Sequence, residues 1–125
     1  DNVFMVKSMG ALRYYSAMQH ADMMIGNSSS GVIEAASFGL PVVNIGDRQK
    51  GRETSANLIQ VPVGKQSIIA GMAKSAGLEF KKTCASSPNV YGDGQAAPRI
   101  VNGITAFLRS GRGVQKQFHL SVGAS

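Results

Sequence analysis

Residues 23–52, M-M-I-G-N-S-S-S-G-V-I-E-A-A-S-F-G-L-P-V-V-N-I-G-D-R-Q-K-G-R, narrow the possible folds more than any other part of the chain. Residues 23–26 are a short apolar run closed by a glycine. Residues 27–31 are a turn built only of small polar residues and glycine. Residues 32–38 carry helical spacing and run into Gly39 and Pro41, which stop a helix. Residues 42–45 are a second apolar run, β-branched at three positions. Residues 46–52 then gather Arg48, Lys50 and Arg52 in one loop. Two parallel strands around a helix place both polar loops at the same end of the sheet. Open α/β sheets bind ligands at that end.

The flanking chain continues the alternation. Residues 3–7 (V-F-M-V-K) predict a strand, and residues 12–21 a helix with Leu12, Tyr15 and Met18 on one face. Residues 58–61 predict a further short strand, ended by Pro62 and Gly64. Ser67 reads as the N-cap of a helix to Ala76, with Ile68, Met72 and Ala76 in one stripe and Gly77 closing it. Residues 79–94 are polar and predict a long connection. Residues 97–110 are the best-marked helix, with Pro98 in the first turn and Val101, Ile104 and Leu108 in register. About four strands alternating with helices argue for a parallel sheet with right-handed crossovers. Residues 1–112 thus read as a partial Rossmann-like domain, and residues 113–125 as a C-terminal tail.

Composition removes several function classes. The chain has 125 residues, 43% hydrophobic and 16% charged, which suits one globular domain. No apolar run is long enough for a membrane span, and no signal peptide is recognisable. The chain starts at Asp1, almost directly on a strand, and reads as a fragment. Net charge is +6, yet aromatic residues are only 6% and Trp is absent. Stacking platforms for bases are therefore poorly supplied, and a small anionic ligand accounts for the clustered cations better than nucleic acid does. Cys84 is the single cysteine, so the chain holds no internal disulfide or thiolate metal box. A cytoplasmic location is the expectation, with no metal and no cofactor.

The turn at Asn27, Ser28, Ser29, Ser30 and Gly31 can let backbone N–H groups approach an anion closely, with serine hydroxyls beside them. It can equally be an ordinary serine-capped strand-to-helix turn, since it lacks P-loop and dinucleotide spacing. Glu34, in the first turn of the expected helix, can be a carboxylate that favours the helix dipole. It can also accept hydrogen bonds from a vicinal diol, as acidic residues do for ribose. Arg48 can offer a bidentate guanidinium to phosphate or belong to a solvated basic loop. Lys50 and Arg52 alternate with it, so not all three point inward. Residues 89–94 (N-V-Y-G-D-G) read as a glycine-rich turn. His20 reads as a helix C-terminal residue and His119 as tail.

Three separated motifs, G-N-S-S-S-G-V-I-E-A, F-G-L-P-V-V-N-I-G-D-R-Q-K-G-R and N-V-Y-G-D-G-Q-A, together resemble the UDP-N-acetylglucosamine 2-epimerases. The likeness is to the hydrolysing branch of sialic acid synthesis and runs from about residue 2 to residue 108. The non-hydrolysing branch carries a D-S-G-G-type turn, which this chain lacks. The resemblance implies part of the C-terminal half of a two-domain enzyme of the glycosyltransferase-B type, α/β with a Rossmann-like parallel sheet flanked by helices. It implies UDP phosphate contacts from Ser28, Ser29 and Arg48, ribose contacts from Glu34, and lining by Asn27, Ser30 and Gly31. It implies UDP-GlcNAc or UDP as ligand, a missing N-terminal domain and a missing first part of the C-terminal domain that together carry the acid/base groups, and a homo-oligomer. The implied reaction eliminates UDP and adds water with inversion at C2, giving N-acetylmannosamine. On this reading the chain alone is inactive. The alternatives are a UDP-sugar glycosyltransferase half and a basic nucleic-acid-binding module.

Overall fold

Val42 and Val43 are neighbours in sequence, both are buried, and they belong to different cores. They sit on the middle strand of a three-stranded parallel sheet in the computed structural model, which describes residues 2–113. The strands are β1 (Met24–Gly26), β2 (Val42–Ile45) and β3 (Leu58–Val61), in spatial order β1-β2-β3. Met24 pairs with Val42, and Val42 with Leu58. Side chains alternate across a strand, so each face of the sheet needs its own apolar cover.

On one face Val42 packs with Met18, Ala35 and Leu40, joined by Tyr14, Met24, Phe38 and Leu58. Met18 and Tyr14 come from α1 (Gly10–His20), and Ala35 and Phe38 from a 3-10 turn at Ala35–Phe38. On the other face Val43, Ile59 and Val61 meet Ile45, Ile68 and Phe80. Ile68 lies on α3 (Lys65–Ala76) and Phe80 on α4 (Leu78–Ser86). Helices on both faces of a parallel sheet are the α/β arrangement expected from the sequence. Val43 has no exposed surface, and full burial of such a side chain stabilises by about 1.5–3 kcal/mol. No helix among the described residues is long and apolar enough to cross a membrane.

The chain divides into two compact units, Asp1–Asp93 and Gly94–Ser125. The described part of the second unit is dominated by α5 (Ala96–Arg109). Its apolar residues Ile100, Val101, Ile104, Phe107 and Leu108 are exposed. Of the tail expected at 113–125, residues 114–125, with His119, lie outside the described residues.

Several expectations are corrected. Residues 3–7 form no strand, and Val3, Phe4, Met5 and Val6 are exposed. A strand is stable only beside a partner, and the sheet ends at β1. The helix foreseen over 32–38 begins earlier, as α2 (Ser29–Ile33), and tightens into the 3-10 turn after Glu34. The polar connection foreseen over 79–94 contains α4. Phe80 and the buried Cys84, four apart, anchor that helix, and two anchors are too few for periodicity to stand out among its lysines and serines. Burial pushes the Cys84 thiol up. Ser67 is not the cap of α3, which starts at Lys65 after Gly64. Gly77 closes α3 with extended backbone, not left-handed, and caps the start of α4.

Gly39 ends the 3-10 turn at φ +61, and a Cβ there would lie 3.2 Å from the Ala85 backbone. Both facts oppose a side chain. Gly39→Ala is expected to cost about 1–2 kcal/mol, read as a lower midpoint in urea unfolding. An unchanged midpoint counts against the packing of α4 on this turn.

Candidate functional site

Parallel pairing sets the geometry of the site. Gly26 pairs with Asn44, so Asn27 leaves β1 level with the exit of β2 into Gly46. The turn 27–31 and the basic loop 46–52 therefore share the C-terminal end of the sheet. The base of that loop is tied down by side-chain amides. Asn44, 2% exposed, donates to Gln60 at 2.7 Å, and Gln60 donates to the Gly46 carbonyl at 2.7 Å.

The turn itself is ordered by its own serines. Ser28 is the N-cap of α2, its hydroxyl accepting from the Ser30 N–H at 3.3 Å. The Ser30 hydroxyl hydrogen-bonds the Tyr14 hydroxyl on α1. Ser29 is half-buried and Asn27 exposed. Gly31 is buried, where a Cβ would lie 3.1 Å from Val42, so it brings α2 close to the sheet. Ser28 and Asn27 thus face solvent at the end of the turn, and Ser30 is engaged with α1.

Arg48 is exposed, and its Nη1 lies 3.5 Å from Asn27 Oδ1, a long contact. Lys50 and Arg52 are also exposed. Gln49 between them is buried, 7% exposed, and its Nε2 donates to the Asn27 carbonyl at 2.8 Å. Its Oε1 is buried without a partner among the described residues, an arrangement that costs about 1–3 kcal/mol. Sequence reading passed over Gln49 because a lone amide in a basic loop carries no pattern of its own.

Glu34 is placed differently from the expectation. It follows the last residue of α2, so it gains nothing from an N-terminal helix dipole there. It opens only the four-residue 3-10 turn. Glu34 is half-buried, and its carboxylate has no ion-pair partner among the described residues. It lines a cavity of about 400 Å³ with Ser8, Met9, Gly10, Ala11, Tyr14 and Tyr15. Tyr15 stacks on Phe38 at 5.9 Å between ring centroids. The cavity has aromatic walls, an acid, and the serine turn at its edge through the Tyr14–Ser30 bond. Tyr14 was missed as a site residue. Its signal was two adjacent tyrosines on a helix just upstream of the turn.

Other features fall outside this cluster. A larger cavity, about 750 Å³, is lined by Ala36, Phe38, Gly39, Ala85, Asn89 and Asp93 among others. Gly39 precedes β2, so that cavity opens toward the N-terminal end of the strand, away from the loops just described. Asn89 donates to the Ile33 carbonyl at 2.8 Å and to Ser37 at 2.7 Å, and the Tyr91 hydroxyl donates to the Glu53 carbonyl at 2.8 Å. The N-V-Y segment thereby ties the end of α2 and the 3-10 turn to the chain before β3. Lys81 and Asp22 form an exposed ion pair at 2.7 Å, and the Lys81 hydrogen bond holds the Asp22 carboxyl below its usual range. No cluster of three or more metal-ligating residues occurs among the described residues.

Comparison with known proteins follows the same region. The family model for UDP-N-acetylglucosamine 2-epimerase matches residues 1–105. A UDP-N,N'-diacetylbacillosamine 2-epimerase (hydrolyzing) of Legionella pneumophila is 40% identical over 98 residues, 78% of this chain and 25% of that protein. Polysialic acid biosynthesis protein P7 of Escherichia coli is 39% identical over 106 residues, 85% of this chain and 27% of that protein. The chain thus spans about a quarter of the length of these curated relatives. A solved structure from Listeria monocytogenes, described as a UDP-N-acetylglucosamine 2-epimerase, superposes with a TM-score of 0.71 at 22% identity. That match covers 92% of this chain and 32% of the other, and it establishes the fold.

Proposed function

The chain belongs to the UDP-N-acetylglucosamine 2-epimerase family, and from that premise we propose that it holds the UDP half of the substrate of a hydrolysing 2-epimerase. The observation that carries this reading is the placement of Glu34. A half-buried glutamate without a salt-bridge partner among the described residues lines an aromatic-walled cavity beside a serine turn, and Arg48 adjoins that turn from the loop after β2. A carboxylate suits a vicinal diol and repels a phosphate, so ribose belongs at Glu34 and the diphosphate at Ser28, Ser29 and Arg48. Asn27, Ser30 and Gly31 shape the turn around it. Tyr14 and Tyr15 leave an apolar wall for the base.

The proposed reaction starts with loss of the C2 proton to a base and departure of UDP from C1, leaving a glycal-like double bond. Water then adds its oxygen at C1 and a proton returns to C2 on the opposite face. The products are N-acetylmannosamine, or its diacetamido counterpart, and UDP. Within this chain the role is to orient and stabilise the leaving diphosphate, where negative charge develops as the bond to C1 breaks. The proton transfers are assigned to the part of the protein that the curated relatives carry beyond this match.

Turnover of UDP-GlcNAc by the full-length protein in deuterium oxide tests the reaction. Each N-acetylmannosamine released is expected to carry deuterium at C2. Products that keep the original C2 hydrogen exclude the elimination step, and a requirement for a sugar acceptor would mark a transferase.

A further inference from the structure

Asn27 is held from two sides by consecutive residues of the basic loop. Arg48 approaches its side chain at 3.5 Å, and Gln49 donates to its backbone carbonyl at 2.8 Å. The two contacts differ in kind. Arg48 is exposed, whereas Gln49 is 7% exposed and turned inward while its neighbours Asp47, Arg48 and Lys50 face solvent. The Gln49 amide oxygen finds no donor among the described residues. Among the described residues its Nε2 is thus the one end of the amide that makes a hydrogen bond.

The Asn27 carbonyl and the Ser28 N–H belong to one peptide unit. No peptide bond among the described residues is cis, and in a planar trans unit these two groups point in opposite directions. A donor that pins the carbonyl therefore also aims the N–H. The same contact sets how far the turn stands from the Arg48 guanidinium, because Gln49 and Arg48 are adjacent.

We propose that Gln49 is the positioning residue of the phosphate turn, aiming the Ser28 N–H and fixing the spacing between that turn and Arg48. This rests on the UDP reading given above. Gln49 acts through Asn27 and does not itself touch the nucleotide.

The test compares parent, Gln49→Met and Gln49→Glu in the full-length protein, with UDP and with uridine as ligands, by calorimetric titration. Methionine keeps the volume and removes the donor. UDP binding in Gln49→Met is expected to weaken about tenfold, with uridine binding held within about twofold. In Gln49→Glu an ionised carboxylate repels the Asn27 carbonyl, and a protonated one donates to it. Its UDP affinity relative to parent at the same pH is therefore expected to recover between about pH 8 and about pH 5. Equal losses for UDP and uridine, or an unchanged UDP affinity in Gln49→Met, overturn the proposal while parent binding stands. A parent that binds neither ligand overturns the nucleotide reading, and the role of Gln49 with it.

Discussion

Glu34→Ala is expected to weaken UDP binding by about 10- to 100-fold. Hydrogen bonds to a charged group contribute about 1.5–3 kcal/mol, and each 1.4 kcal/mol is a factor of ten in affinity. The fold should survive the change, because the Glu34 side chain is only half-buried and lies outside both apolar clusters. Calorimetric titration of the full-length protein with UDP and with 2',3'-dideoxy-UDP reads the effect. If Glu34 holds the ribose diol, the parent loses affinity for the dideoxy ligand and Glu34→Ala does not discriminate between the two. A variant that still prefers UDP by the parental ratio removes the ribose assignment.

Gly71→Leu is expected to be the most damaging single change to stability. Gly71 is on α3, and a Cβ built there lies 2.9 Å from Val43 Cγ1 and 2.9 Å from Val61 Cγ1. Both valines are buried in the same cluster. Even alanine should lose stability there, although it favours helix over glycine by about 1 kcal/mol. Leucine adds three more carbons and should cost about 3 kcal/mol or more through overpacking. Gly103 on α5 supplies the contrast, since a Cβ there meets nothing within 4 Å. Gly103→Ala should stabilise by up to about 1 kcal/mol. Urea unfolding followed by circular dichroism reads both. A neutral Gly71→Ala would mean that α3 stands further from the sheet than described.

The central unit was legible because each of its parts carries a strong local signal. Two β-branched runs, a glycine–proline stop and a turn of small residues leave few alternatives for residues 23–45. α5 was legible for a similar reason, with five apolar residues at helical spacing. The failures share a cause. Residues 3–7 have strand composition, but a strand is decided by its neighbour, and local sequence does not contain the neighbour. α4 shows the reverse, with weak local signals and two residues, Phe80 and Cys84, that count only once a sheet lies beneath them.

At the site, chemistry-bearing residues could be picked out by type, but their division of labour could not. Ser28, Ser29 and Ser30 are equivalent as letters. In the fold one caps a helix, one is bonded to Tyr14 and one is left half-buried between them. The contacts of Gln49 and Tyr14 span 22 and 16 positions, so Gln49 carried no local signal and Tyr14 only that of two adjacent tyrosines. The missed start of α2 mattered most. It moved Glu34 from the beginning of a helix to its end, which removes the helix-dipole reason for a carboxylate there, and the ribose proposal starts from that difference.

The change of winding at Glu34 has a consequence for how such a site can vary. Each residue of an α-helix turns the next side chain by about 100°. The direction of Glu34 is therefore fixed by how many residues separate it from the serine cap, and the shift to the tighter turn after it fixes the return to β2. Replacement of one residue in residues 29–38 leaves that angular setting alone. Gain or loss of one residue between Ser28 and Glu34 swings the carboxylate away from the cavity even if every letter around it is kept, and one between Glu34 and Gly39 disturbs the return to β2. Chain length between Ser28 and Gly39 is thus a quantity the site depends on in its own right, and length polymorphism should be tolerated in the loops around this segment before it is tolerated within it.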